Sequence, residues 1–501
     1  MFQVIQLSES DNIAVSPVNI PENASIESHN IKTITKIPQG HKISIKEIKK
    51  GEKIIKYGQI IGEATKNILA GEHVHSHNLS FVEFKRETPR QLIKKIDLTN
   101  NSIPKTFEGL VRKNGKIGTR NFIGLVSTVN CSATVVKKIA DKINFFLNDN
   151  SFENIDGAVC LKHSSGCGMN TSGYGMQVFH RTIEGFKNHP NFSHVFVIGL
   201  GCECAQVSLF QNKESTNVTY LNIQDEGGTK SIIDKCFGLI CDILPEANNI
   251  QRSTRPVEEL SIALQCGGSD SYSGITANPS LGYASDLIVS NGGSTLLAET
   301  PEIYGAEHLL KGRTEEKNIQ DKLDKHILWW QDYTKINGGS MDNNPSPGNK
   351  KGGLTTILEK SLGAVAKGGK SKLVDVIDYG ELIKHKGFSF MNSPGYDPVS
   401  VTGQVASGSN IICFTTGRGS CFGYKPVPSI KIATNTNMYN RMEEDMDINS
   451  GTIMEGLESI EENGIKIYNY IIEVASGKKT KSEENGYGDD EFNPWVIGAT
   501  L

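Results

Sequence analysis

The 501-residue chain lacks any apolar run near the ~18 residues a membrane-spanning helix needs. Its first residues, MFQVIQLSESDN, lack the basic and apolar regions of a secretory signal. The expected location is the cytoplasm, with no membrane partner. There is no basic excess either: the formal net charge is −4, so nucleic acid is not an expected partner. Ten cysteines are present, but none forms a CxxC pair, and without an export signal a disulfide framework is a poor expectation. The glycine-rich stretches match neither the P-loop nor the dinucleotide fingerprint in full.

What remains is a soluble composition, 37% hydrophobic and 22% charged, with 51 glycines that call for many tight turns. This length suggests two to four domains, and it leaves a homo-oligomer open. The first 85 residues contain short β-like runs around a repeated unit: IPQGHKI from Ile37, IKKGEKI from Ile48 and ILAGEHV from Ile68. Each Gly supplies a turn between two short strands, which predicts a small β-rich module over 1–85. A polar stretch with two prolines reads as a linker over 86–107. From there strands and helices alternate. FIGLVSTV, DGAVCL, HVFVIGL and NVTYLNI are predicted strands of an α/β domain over 108–250. SIALQC, STLLAE, LVDVI and NIICFTT are predicted strands of a second over 251–501, each domain built on a mainly parallel sheet. The proline-containing stretch Gln251–Glu259 is the expected separator, and KKTKSEENGYGDDEFN near the end is expected to be a surface tail.

Three of the 12 histidines, His73, His75 and His77, stand at every second position in GEHVHSHN. A period of two would place them on one face of a strand, suited to a metal or to proton transfer, or simply to an exposed polar face. Four motifs place cysteine just past a predicted strand: Cys131, Cys167, Cys202 and Cys266. Ligands in open α/β sheets bind beyond such strand ends, although buried cysteine also behaves as a small hydrophobe. Lys162 and His163 lie just before Cys167, where they could serve a thiolate, a metal or a proton transfer. GLGCE, CGGSDSYSGITANP and TTGRGS suit a small carboxylate, with Arg120, Lys350 or Arg418 as counter-charge.

GEHVHSHN, GKIGTRNFIGLVSTVNCSATV, GLGCE, CGGSDSYSGITANPSLG, ETPEIYGAEHLL, NPSPGNKKGG and TTGRGS together resemble the altronate dehydratase family. Galactarate dehydratases and the two-subunit sulfolactate sulfo-lyase are its relatives. The resemblance covers nearly the whole chain. It implies an N-terminal SAF-type β-clip domain on a larger α/β dehydratase body. It also implies a hydro-lyase of hexuronate catabolism that converts D-altronate to 2-keto-3-deoxy-D-gluconate, or a galactarate dehydratase, or a C–S lyase. A metal- or carbohydrate-binding protein without turnover is the non-enzymatic alternative. The cofactor implied is a divalent metal, Fe²⁺ first and Mn²⁺ second, with an iron–sulfur cluster also open. The metal candidates are His73, His75, His77 and the cysteines Cys131, Cys167, Cys202 and Cys266; Cys204 and Cys421 depart from the pattern. Elimination needs a base, a Lewis acid and an acid for the leaving hydroxyl. Lys162 and His163 are candidates for the base and His75 or His77 for the acid. Arg120, Asn121, Ser269, Asp270, Asn278, Lys350 and Arg418 are candidates for substrate binding.

Overall fold

The computed structural model describes residues 2–84, 88, 103–211 and 217–500. In the N-terminal domain, Lys42–Ser44 pairs antiparallel with Ile13–Val15 on one side and His73–Val74 on the other. A second antiparallel sheet joins Lys53–Lys56, Gln59–Ala64 and Leu79–Ser80. The repeated unit does what its sequence predicts. Ile20 bridges Ile37 and Ile48 bridges Ile68, and Gly40, Gly51 and Gly71 then turn the chain at positive φ. At Gly71 only glycine fits, because a Cβ there would stand 1.9 Å from the Lys32 carbonyl oxygen. The repeats bury a stack of isoleucines, Ile20, Ile26, Ile37 and Ile43, while Ile48, Ile54, Ile61 and Ile68 merge into the main core.

The expected linker over 86–107 lies outside the described residues, apart from residue 88 and its last five positions. The strand Thr106–Val111 begins there and lies between Ile117–Gly118 and Arg252–Pro256 in an antiparallel sheet. Within Gln251–Glu259, the expected separator, the strand Arg252–Pro256 thus pairs with the strand that precedes the first body domain.

The first body domain is a four-stranded parallel sheet in the order Gly157–Leu161, Phe122–Ser127, Phe192–Gly199, Val218–Asn222. Every residue of Phe122–Ser127 is buried, as a strand covered on both faces requires. Helices Ala133–Asn148 and Thr229–Asn248 cover one face. Tyr174–Lys187 covers the other. The second body domain has a seven-stranded parallel sheet in the order Leu373–Ile377, Gly387–Met391, Ser294–Leu297, Ser261–Cys266, Ile411–Thr416, Ser429–Ala433, Ile448–Asn449. Helices Ala277–Ser290 and Ile460–Ala475 pack together on this sheet, and Asp397–Ala406 packs against Tyr174–Lys187 of the first domain. Gly185 permits that contact, since a Cβ would stand 2.2 Å from the Ala406 carbonyl oxygen. Tyr174, at the start of its helix, donates to Asp378, just past the strand Leu373–Ile377 (2.9 Å). The carboxyl edges of the two parallel sheets thus meet on one side of the molecule.

The expected surface tail is part of the body. Arg120 forms an ion pair with Glu483 (2.6 Å), while Phe492 and Trp495 are buried. Its charges misled because one of them has a buried partner 363 residues away. No helix among the described residues is long and apolar enough to cross a membrane.

Candidate active site

Chain order dictates where a crevice opens. Ser261–Cys266 lies between Ser294–Leu297 and Ile411–Thr416, and the chain first builds one side of it and later the other. Such a switch point leaves a gap at the carboxyl ends of the strands. Cys266, Gly267 and Gly268 leave the first of these strands. Glu299 and Glu302 follow the second, and Gly395–Asp397 follow Gly387–Met391. Together with Asn344, Ser346, Asn349 and Lys360, all of these but Glu299 line a cavity of 570 Å³. Gly267 admits the neighbouring carboxyl: a Cβ there would stand 2.3 Å from Asp397 Oδ2.

The cavity gathers buried ionisable groups. Lys360 Nζ donates to Glu302 Oε1 (2.5 Å) and to Asn344 Oδ1 (3.0 Å), and Asn344 Nδ2 donates to the same Glu302 oxygen (2.8 Å). Lys367 Nζ stands 2.9 Å from Cys266 Sγ, and that sulfur is 3.8 Å from Glu302 Oε2. Burial pushes the Glu302 carboxyl upward, but Lys360 and Lys367 outweigh it and hold the group below the usual range. Burial, followed by the charge on Glu302, pushes Asp397 up to about 7. Glu299 is raised well above a normal carboxyl by burial and by Glu302, and neither of its buried oxygens has a hydrogen-bond partner. Burial likewise raises the Cys266 thiol, against the pull of Lys367. One ligand atom from each of Cys266, Glu299 and Glu302 lies within 4.8 Å of the others. Orphaned carboxylate oxygens inside a compact donor set fit a divalent cation, whose charge would replace the proton that Glu299 otherwise carries.

The N-terminal histidines act on this cavity through a loop. The strand that was to carry all three ends at Val74, because Asn78 caps a turn by accepting from the His75 N–H (2.9 Å) and donating to the His73 carbonyl (2.9 Å). Only His73 is on the strand. A fourth ring, His41 from IPQGHKI, joins the group, with centroids 5.1 Å from His73 and 5.0 Å from His75. His75 Nε2 donates to the Lys350 carbonyl (2.9 Å) and His41 Nε2 to that of Lys351 (3.3 Å). His41 Nδ1 is then an acceptor, so His73 Nε2 donates to it (3.0 Å). Burial favours neutral rings, lowering His73 to about 3 and His75 to about 4. The clamped segment is the short helix Pro347–Lys351, whose capping box (Ser346 with Asn349) is at the cavity wall. Beside it Lys42 and Lys56, both fully buried, hold Glu359 at 2.9 and 2.8 Å.

The other sequence candidates have different settings. Ser269, Asp270 and Lys350 are next to or near the lining residues Gly268 and Asn349 in sequence but do not line the cavity. The Ser269 carbonyl accepts from Asn349 Nδ2 (2.8 Å), and its buried hydroxyl has no partner. Asp270 accepts from Thr434, Ser273 and Asn435. Arg418 is exposed, though its backbone N–H reaches the Gly268 carbonyl (2.8 Å). Arg120, Asn121, Asn278 and His163 are occupied by internal partners. Arg120 binds Glu483 and three carbonyls, Asn121 donates to Asn154 and Ala247, and Asn278 links Gly363 to Thr415. His163 Nε2 donates to the Ser127 carbonyl (2.8 Å) and Nδ1 accepts from the Ser165 N–H (3.1 Å), which uses both ring nitrogens. Lys162 pairs with Asp490 (2.5 Å). Cys131, Cys167 and Cys202 are exposed on the first body domain, apart from Cys266. Sequence reading missed Glu299, Glu302, Lys360, Lys367, Asp397 and His41. The strand-end rule that picked out the cysteines reaches ETPE after STLLA and NSPGYD after GFSFM equally well.

Three family profiles match in order: the altronate/galactarate dehydratase SAF domain over residues 2–81, the D-galactarate dehydratase/altronate hydrolase second domain over 109–248, and the D-galactarate/altronate dehydratase C-terminal domain over 257–500. The chain is 34% identical to an altronate dehydratase of Bacillus subtilis (strain 168), over all of both chains. It is 37% identical to a galactarate dehydratase (L-threo-forming) of Escherichia coli (strain K12), over 98% of this chain and 96% of the relative. An altronate dehydratase of the same organism is 33% identical over the full length of both.

Proposed function

Since the chain belongs to the D-galactarate/altronate dehydratase family, we propose that it is a hydro-lyase that dehydrates a sugar acid in the Cys266–Asp397 cavity. D-Altronate is the substrate of this reading and 2-keto-3-deoxy-D-gluconate its product. The observation that carries the choice of cavity is the pair Glu302 and Asp397, two buried carboxyls whose surroundings push their proton affinities apart.

The reaction breaks the C2–H and C3–O bonds and releases water; the resulting enol becomes the 2-keto acid. Asp397, whose proton affinity near neutrality makes both its forms accessible, takes the C2 proton and hands it on to the departing 3-hydroxyl, which leaves as water. The substrate carboxylate is set at the N-terminus of helix Asp397–Ala406, where the helix dipole favours an anion. Asn344, Ser346 and Asn349 read hydroxyl groups from the opposite wall. Lys360 keeps Glu302 ionised, and the histidine clamp on Lys350 and Lys351 fixes the wall that carries Asn349. A divalent cation, Fe²⁺ first and Mn²⁺ second, would be held by Glu299 and Glu302 with Cys266, and it would supply Lewis-acid stabilisation of the enediolate.

Galactarate is the second reading, favoured by the 37% identity to a galactarate dehydratase. Anaerobic incubation of the protein and Fe²⁺ with each acid, followed by 2-keto acid determination, separates the two. Turnover of galactarate alone overturns the altronate assignment, and turnover of neither overturns both.

A further inference from the structure

Three thiols outside the cavity have no part in that chemistry. Cys131, Cys167 and Cys202 are free and exposed. They follow three adjacent parallel strands, Phe122–Ser127 in the middle with Gly157–Leu161 and Phe192–Gly199 on either side. Strand spacing places the outer pair about 10 Å apart. The register aligns the ends: Val126 pairs with Leu161, and Ser127 with Ile198. All three turns leave the carboxyl edge within a few residues of one another.

The turns are also fastened together. The Asn130 N–H donates to the Ser165 carbonyl (3.0 Å) and Asn130 Nδ2 to that of His163 (3.0 Å), joining the Cys131 turn to the Cys167 turn. The Ala205 N–H donates to the Gly166 carbonyl (3.0 Å), joining the Cys167 turn to the Cys202 turn. Glu203, almost fully buried, closes the ring by accepting from Thr128 Oγ1 (2.7 Å) and the Gly201 N–H (2.7 Å). Gly166, at φ +102, lies so close to the middle turn that a Cβ would stand 2.1 Å from the Thr128 carbonyl oxygen. Gln224 directs its amide N–H at Cys202 Sγ (3.5 Å), a donor of the kind that tunes metal-bound sulfur. A buried carboxylate, a glycine-only approach and a second-layer amide amount to a built platform.

We propose that Cys131, Cys167 and Cys202 ligate an iron–sulfur cluster of the [4Fe–4S] type. Among the described residues, the compact ligand group fit for one ion is Cys266, Glu299 and Glu302, not these three thiols. In a cluster each thiolate binds a different iron, so wider spacing is what the ligands need. Each thiol releases its proton on binding, and the fourth iron has no cysteine from this trio. A ligand other than these three thiolates would complete it.

The test uses full-length protein purified without oxygen, or reconstituted with ferrous iron and sulfide. Iron, acid-labile sulfide and the electron paramagnetic resonance spectrum are the readouts, and no sugar acid is needed. The expected content is about four irons and four sulfides per chain. Cys131→Ser, Cys167→Ser and Cys202→Ser should each lose most of the sulfide while keeping the wild-type circular dichroism. Cys421→Ser, exposed elsewhere, should keep it. Iron or zinc without labile sulfide overturns the proposal, as does sulfide retained in all three variants. Failure of dehydration with sulfide present counts against the proposed function alone.

Discussion

Lys42 of the N-terminal domain and Glu359 of the second body domain form an ion pair 2.9 Å long from which solvent is excluded on both sides. Lys56 makes a second pair with the same carboxylate, and Thr355 adds donors from its N–H and hydroxyl (3.0 and 2.7 Å). One carboxylate thus balances two buried ammonium groups. Glu359→Gln leaves both charges uncompensated and should cost about 3–5 kcal/mol, the range for breaking one partner of a buried pair. Urea unfolding checks this. A loss below about 1 kcal/mol would mean the pairs are solvated in solution.

His75 is a positioning residue in this account. His75→Leu should raise KM and leave the bound divalent metal unchanged, because the carbonyl of Lys350 loses its donor and the Asn349 wall drifts. His75→Gln, which can still donate, should recover much of the KM. Loss of metal in both variants would make His75 a ligand.

Asp397→Asn removes the proton carrier while preserving shape. A fall in kcat of about 10²–10⁴ is expected, the usual share of general acid–base catalysis. The measurement is steady-state kinetics on the sugar acid, with circular dichroism to confirm folding. An unchanged kcat would move the proton transfer elsewhere.

Acid should weaken the fold through its buried imidazoles. Burial lowers His163, His189 and His194 to about 4 each. Between pH 6.5 and 4 the unfolded chain binds protons at these sites and the native state does not, so stability falls as pH falls through that window. The thermal midpoint should drop across it, and less steeply for His163→Gln. A profile flat from pH 7 to 4 would contradict the burial of these rings.

The strands were legible because they are buried on both faces and read as unbroken apolar runs. SIALQC and LVDVI match their strands residue for residue. The repeat around Gly40, Gly51 and Gly71 was legible for a local reason, a turn that needs positive φ. Of the candidate site only Cys266 was legible. Cys266, Glu302 and Asp397 are brought together by sheet order alone, and no local period connects them. GEHVHSHN misled in a different way: its alternation suggests a strand, but Asn78 turns the chain after Val74. Arg120 is in a family-like motif yet is buried against Glu483, because a motif records structural needs as well as chemical ones.

The most direct test is single-turnover conversion of D-altronate by anaerobic, Fe²⁺-loaded protein, with the product identified by mass and by its 2-keto group. The account expects 2-keto-3-deoxy-D-gluconate from the wild type and from Cys421→Ser, and almost none from Asp397→Asn. Equal product from Asp397→Asn, or no 2-keto acid from altronate or galactarate with the wild type, would contradict it.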